Sequence, residues 1–202
     1  MKTQGSLTPA LLREAEVHLR QAGPIMADLI EQHGPCSLAE RPFEPFHTLA
    51  SSIISQQLSA KAADTIERRV GQLVPSPFLP ADMLRVSAEQ LRAAGLSSRK
   101  VGYIHELAGR IINGRLSFKA LASADDESVI AALVELPGIG QWTAEMFLIF
   151  GLRRPDVLSL ADAGLQRAAR LLFGDDTKLE NVGKPWRPFC SVASWYLWRT
   201  LD

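Results

Sequence analysis

Asp162 stands in the segment Ala161-Asp162-Ala163-Gly164-Leu165-Gln166-Arg167, after an apolar run and before a stretch with helical spacing. A carboxylate at such a junction accepts hydrogen bonds from the first N–H groups of a helix, which holds it rigid and ionised. Capping alone would explain the residue. The same fixed anion is also what stabilises positive charge growing on a sugar, or orients a water that attacks it. Asp156 precedes the apolar run and reads as a turn residue. Trp142, by its own residue type, is open to a reading as core packing.

Leu136-Pro137-Gly138-Ile139-Gly140-Gln141-Trp142-Thr143-Ala144 is the second chemical stretch. Pro137 fixes a backbone angle, Gly138 and Gly140 can take positive φ without a Cβ clash, and a helical pattern resumes at Gln141. Backbone N–H groups at that start, with no side chains in the way, suit an anion such as a phosphate. An ordinary turn between buried helices would look the same. In Ser52-Ile53-Ile54-Ser55-Gln56-Gln57-Leu58-Ser59, an apolar helix ends in two glutamines, which puts amide side chains at an exposed helix end. The alternative there is a plain polar loop. Among the basic residues, Lys61 and Lys100 stand out as phosphate contacts, Lys100 because it follows the Gly95-Leu96-Ser97-Ser98 turn.

Positioning these residues requires helices. Thr8-Pro9 starts one that carries Leu11, Leu12, Ala15 and Leu19, and Pro24–His33 is a second. Residues 36–44 read as a connector. Pro45 opens a helix with Phe46, Leu49, Ala50, Ile53 and Ile54 as a buried stripe, and Ser59 caps residues 60–73. Pro75, Pro77 and Pro80 mark a loop, Ser87-x-x-Gln90 is a capping box, and Gly95 is a stop. Ser97 or Ser98 caps a helix bearing Val101, Ile104, Leu107, Ala108 and Ile111. Asp125 or Asp126 starts the helix that runs to Leu136, and residues 141–151 form the next. Residues 152–161 are an irregular connector, Ala163–Phe173 is a helix, and Pro185 begins the last one, through Arg199. About ten helices and no sheet are expected.

Acidic and basic side chains balance at 22 each over 202 residues, so no global field draws the protein onto nucleic acid. A DNA-binding reading then needs basic residues gathered on one face, with few phosphate contacts and a shallow salt dependence. Cys36 and Cys190 are too few for a thiolate zinc site or an iron–sulfur cluster and read as small buried hydrophobes. The four histidines share no ligand spacing. No leader or membrane-spanning run is read, which predicts an intracellular protein.

Helix, LPGIG turn, helix, with Asp162 about twenty residues further on, resembles the helix-hairpin-helix (HhH-GPD) superfamily of base-excision DNA glycosylases. Its aromatic residues resemble the DNA-3-methyladenine glycosylase II branch. The resemblance implies an all-α fold of two helical lobes with a DNA-binding cleft between them. One lobe would be residues 45–151, with the hairpin motif at about 126–151; the other would be residues 1–44 with 152–202. It implies that Asp162 is the catalytic carboxylate. Trp142 stands where strand-cutting members carry a lysine that forms a Schiff base, so an indole implies a monofunctional enzyme that uses water.

Trp142, Trp195 and Met146 would line the base pocket, while Trp186, Tyr196 and Trp198 are expected as packing. Gln57 would be the wedge that fills the gap left by an extruded nucleotide, and Gln56 its neighbour in the minor groove. Gly138, Ile139, Gly140, Thr143, Lys61 and Lys100 would be the remaining DNA contacts. Hairpins of this family often hold Na+ or K+ through backbone carbonyls, here those of Val134, Leu136 and Ile139; no cofactor is required. The implied activity is hydrolysis of the N-glycosidic bond of alkylated purines such as 3-methyladenine in double-stranded DNA, by a monomer. Two alternatives are a glycosylase for another lesion and a helix-hairpin-helix DNA-binding module without catalysis. Beside longer members that begin with a β-rich domain, the chain reads as a minimal version.

Overall fold

The computed structural model describes residues 5–40 and 42–201. Residues 1–4, 41 and 202, which fall in the lobe expected from 1–44 with 152–202, lie outside the described residues. Among the described residues there are 13 α-helices and no strand. They run α1 Pro9–Gln21, α2 Pro24–His33, α3 Pro45–Ser55, α4 Ala60–Val70, α5 Pro80–Arg85, α6 Ala88–Ala93 and α7 Ser98–Ile112. After these come α8 Phe118–Ser123, α9 Asp126–Val134, α10 Gln141–Met146, α11 Ala163–Phe173, α12 Leu179–Val182 and α13 Cys190–Arg199. A π-helical turn, Phe147–Gly151, follows α10, and a 3₁₀ turn, Lys184–Trp186, follows α12.

Helix starts follow the capping chemistry of the sequence. Thr8, Ser59, Ser87, Ser97, Asp125 and Asp162 each accept a backbone N–H three residues on, and Gln90 returns a bond to Ser87 to close the capping box. Contacts divide the chain into two compact units: Glu44–Phe147, and the described residues of Lys2–Phe43 with Leu148–Asp202. In the first, α7 packs against α3, α5 and α6, and α9 against α10. The expected stripe on α3 (Phe46, Leu49, Ala50, Ile53, Ile54) is buried throughout, each large side chain contributing roughly 1.5–3 kcal/mol. In the second unit, α13 packs against α1, α2 and α11. Nearly every side chain of α13 from Cys190 to Leu197 is buried, with small residues at Ser191, Ala193 and Ser194 allowing close neighbours.

Several expectations are corrected. The proline loop contains α5, because Pro80 occupies a first helical turn and Met83 is buried beneath it. The last helix is not continuous from Pro185. Arg187 is extended, as a residue before proline tends to be, so Pro188 separates the 3₁₀ turn from α13. Helix α4 ends at Val70 and not Leu73, and α8 and α12 are additional. Of the two hairpin glycines only Gly138 has positive φ (85°); Gly140 is extended at φ −93°.

Candidate active site and nucleic-acid interface

In the first unit the hairpin between α9 and α10 is braced from below. Gly138 is left-handed, and a Cβ there would clash with the ring of Tyr103 on α7, so the turn rests directly against that ring. Gly140, the residue before α10, has nothing within 4 Å of where its Cβ would be, so its backbone is open to a close partner. The Gln56 amide donates to the Gly138 carbonyl at 2.8 Å and to the Thr143 hydroxyl at 3.4 Å. The end of α3 and the hairpin are thereby tied together. Two of the expected DNA contacts are engaged within the protein. Thr143 is buried and its hydroxyl accepts the Gln56 amide, and Gln56 is half-buried as a strut to the hairpin.

Lys100 is likewise engaged within the protein. Its ammonium donates to the carbonyls of Ile54 and Gln56 at 2.7 and 2.6 Å, at the end of α3 where carbonyls lose their helical partners. Partial burial lowers its proton affinity. A cation shared by two carbonyls is a backbone clamp. Just beyond the clamp, Gln57 is exposed and held left-handed at φ 57°. It borders a groove of about 220 Å³ lined also by Leu58, Ile66, Leu96 and Ser97. Lys61 is exposed near the start of α4. Ile139 is buried, whereas Trp142 is 44 % exposed and so is not a core residue. Met146, one turn on, is buried. Glu145, which the sequence reading passed over, is a buried carboxylate that accepts from Gln141 at 3.0 Å.

In the second unit Asp162 is 7 % exposed and caps α11. Its Oδ1 accepts the Leu165 N–H at 2.7 Å and the indole N–H of Trp198 at 3.0 Å. The second partner corrects the expectation that Trp198 only packs. The connector leading to Asp162 is fastened along α13. Ser191 donates its N–H to the Pro155 carbonyl at 3.0 Å, and its hydroxyl accepts the Val157 N–H at 3.0 Å. Asp156 accepts from Arg187 at 2.7 Å and from the Cys190 N–H at 3.2 Å, and that carboxylate raises the proton affinity of Arg187. It is a fastening of the loop.

Trp195 is half-buried, edge-on to Tyr196 with centroids 4.9 Å apart, and carries the Arg199 guanidinium 5.7 Å from its ring centroid. Tyr196 anchors α13 through its one hydroxyl proton, shared between the Gly34 carbonyl at 2.9 Å and the Glu16 carboxylate at 3.1 Å. Burial pushes the Cys36 thiol up to about 12 and raises that of Cys190 as well, so both are inert packing groups. Among the described residues no group of three or more His, Cys, Asp or Glu could hold a metal ion, and no helix is long and apolar enough to cross a membrane.

Residues 50–187 match the family described as HhH-GPD superfamily base excision DNA repair protein. The DNA-3-methyladenine glycosylase 1 of Schizosaccharomyces pombe is 32 % identical over 200 residues, covering 94 % of this chain and 87 % of the relative. Among solved structures, a DNA-3-methyladenine glycosidase from Bacillus halodurans is 43 % identical with a TM-score of 0.77, covering 92 % of this chain and 88 % of that one. The structure of a Schizosaccharomyces pombe 3-methyladenine DNA glycosylase in complex with abasic DNA gives 30 % identity and a TM-score of 0.78, covering 93 % and 96 %.

Proposed function

The chain belongs to the HhH-GPD superfamily of base-excision DNA repair proteins, and we propose that it is a monofunctional glycosylase that hydrolyses the N-glycosidic bond of alkylated purines such as 3-methyladenine in double-stranded DNA. The observation that carries this reading is the Asp162 carboxylate, held at a helix start by two N–H donors. Alkylation leaves the base positively charged. When the C1′–N bond breaks, its electron pair departs with the base and neutralises that charge, so no acid need protonate the leaving group. The sugar becomes an oxocarbenium-like cation, which the fixed anion of Asp162 stabilises. Water forms the new C1′–O bond and gives its proton to solvent. The products are a neutral base and an abasic site.

Recognition is assigned to the other residues. Trp142 and Trp195 supply aromatic faces for the electron-poor base, supported by the exposure of Trp142 and the half-buried setting of Trp195, and Met146, buried one helical turn beyond Trp142, is assigned to the same pocket. An indole at 142 offers no amine for a Schiff base, which supports hydrolysis without strand cleavage. Gln57, exposed and left-handed, is the wedge, and a backbone phosphate sits on the Gly138–Gly140 turn, with Lys61 as a further cationic contact. Backbone carbonyls of Val134, Leu136 and Ile139 are hard oxygen donors on a short turn, a set that fits Na+ or K+ and not a transition metal. Such an ion would add positive charge beneath the phosphate.

The test is product analysis of the wild-type protein on a duplex carrying 3-methyladenine. Free 3-methyladenine and a strand that stays intact until alkali is added are expected, with no covalent adduct on borohydride treatment. A borohydride-trapped adduct would overturn the monofunctional assignment. Binding to DNA with no base released from any alkylated duplex would leave a binding module in place of an enzyme.

A further inference from the structure

We infer that Trp198 is a positioning residue for Asp162, its indole N–H fixing the reacting carboxylate, and that residue 164 is glycine to let the indole reach it. The inference rests on the catalytic reading of Asp162. A single cap bond leaves a carboxyl group able to swing about its terminal torsion, which is broad and soft. The Leu165 N–H and the Trp198 indole converge on the same oxygen, Oδ1, from the backbone of α11 and from a side chain of α13. Two donors in different directions fix the plane of the group as well as its place.

The indole is itself held. Its ring stacks at a tilt of 30° on Phe150, centroids 5.6 Å apart. Trp198 also lies about two helical turns beyond Ser191, which fastens the start of the same connector. One helix thus holds both ends of the segment that delivers the carboxylate.

Gly164 supplies independent support. It sits inside a helix, where alanine is the better residue, and its φ is not left-handed, so backbone conformation does not call for glycine. A Cβ there would stand 3.1 Å from Asp162 Oδ1 and 3.3 Å from both Cδ1 and Nε1 of Trp198. The missing side chain is clearance for this contact. Indole also suits the task chemically, because its N–H is a donor only and keeps its proton at any working pH. It can orient an anion beside a growing cation without quenching it.

Trp198→Phe keeps a ring against Phe150 and deletes the donor; Gly164→Ala keeps the donor and crowds the contact. Base release from a 3-methyladenine duplex is measured in single turnover with enzyme saturating, beside the Kd for abasic-site DNA and the melting temperature. Trp198→Phe is expected to slow release on the order of 10-fold, the worth of one charge-assisted hydrogen bond, with Kd within about twofold. Gly164→Ala is expected to fall in the same direction without losing melting temperature. Wild-type release by Trp198→Phe overturns the inference, as does a loss in either variant confined to Kd. If Trp198→Phe does not fold, Gly164→Ala carries the test, and wild-type release by it overturns the inference. Asp162→Asn separates the two levels. Undiminished release by that variant defeats the catalytic reading itself, whereas an inactive Asp162→Asn beside a fully active Trp198→Phe defeats only the role of the indole.

Discussion

The C-terminal end of α3 and the N-terminal end of α11 present opposite partial charges, and each is met by a side chain of opposite sign. At α3 the carbonyls of Ile54 and Gln56 receive the Lys100 ammonium; at α11 the Leu165 N–H is received by the Asp162 carboxylate. The electrostatics are symmetrical, but the roles are not. Lys100 is the holder, and what it holds is backbone that presents Gln57 in a left-handed conformation. Asp162 is the object held, by a backbone N–H and an indole together. If Asp162 is the reacting carboxylate as proposed, a charged helix-end residue is scaffold when its charge is consumed by the backbone, and chemistry when the surroundings are arranged to fix the charge itself.

That contrast can be broken from the scaffold side first. Gly138→Ala should be the most damaging change. It forces a side chain into a left-handed turn and into the Tyr103 ring, at a cost of roughly 2–4 kcal/mol in urea unfolding. A loss below about 0.5 kcal/mol would mean that the hairpin can lift off α7 freely. Lys100→Met should cost less, roughly 1–2 kcal/mol, since it leaves two partly buried carbonyls without their donor. Single-turnover release at saturating protein should survive it, with the damage appearing in DNA affinity. Equal affinity and a collapsed rate would reverse the roles assigned to the two helix ends.

Much of this was legible in the sequence because capping is local. A Ser, Thr or Asp three residues ahead of the N–H that it accepts can be read directly, and so the starts of α1, α4, α6, α7, α9 and α11 were correctly placed. The α3 stripe was readable for the same reason, as a periodicity within one helix. Helices α5, α8 and α12 are four to six residues long, too short to display a period.

What the sequence hid is partnership at a distance. Lys100 is 44 residues from Gln56, Trp198 is 36 from Asp162, and Gln56 is 82 from Gly138. No local pattern announces such pairs, so the bonds that Lys100, Gln56 and Trp198 make within the protein went unread, and Trp198 looked like packing alone. Gly164 carried a signal that could have been used. A glycine in the first turn of an otherwise well-formed helix asks what approaches it.

The most direct test of the account is Asp162→Asn, assayed for single-turnover release of 3-methyladenine alongside urea unfolding. Asparagine caps a helix nearly as well as aspartate, so stability should change by less than about 1 kcal/mol. Release should fall roughly 100-fold or more, because the sugar cation loses its anion. A variant as stable as wild type that still releases base at the wild-type rate would contradict the account; a stable protein that binds abasic DNA and no longer frees the base is the predicted result.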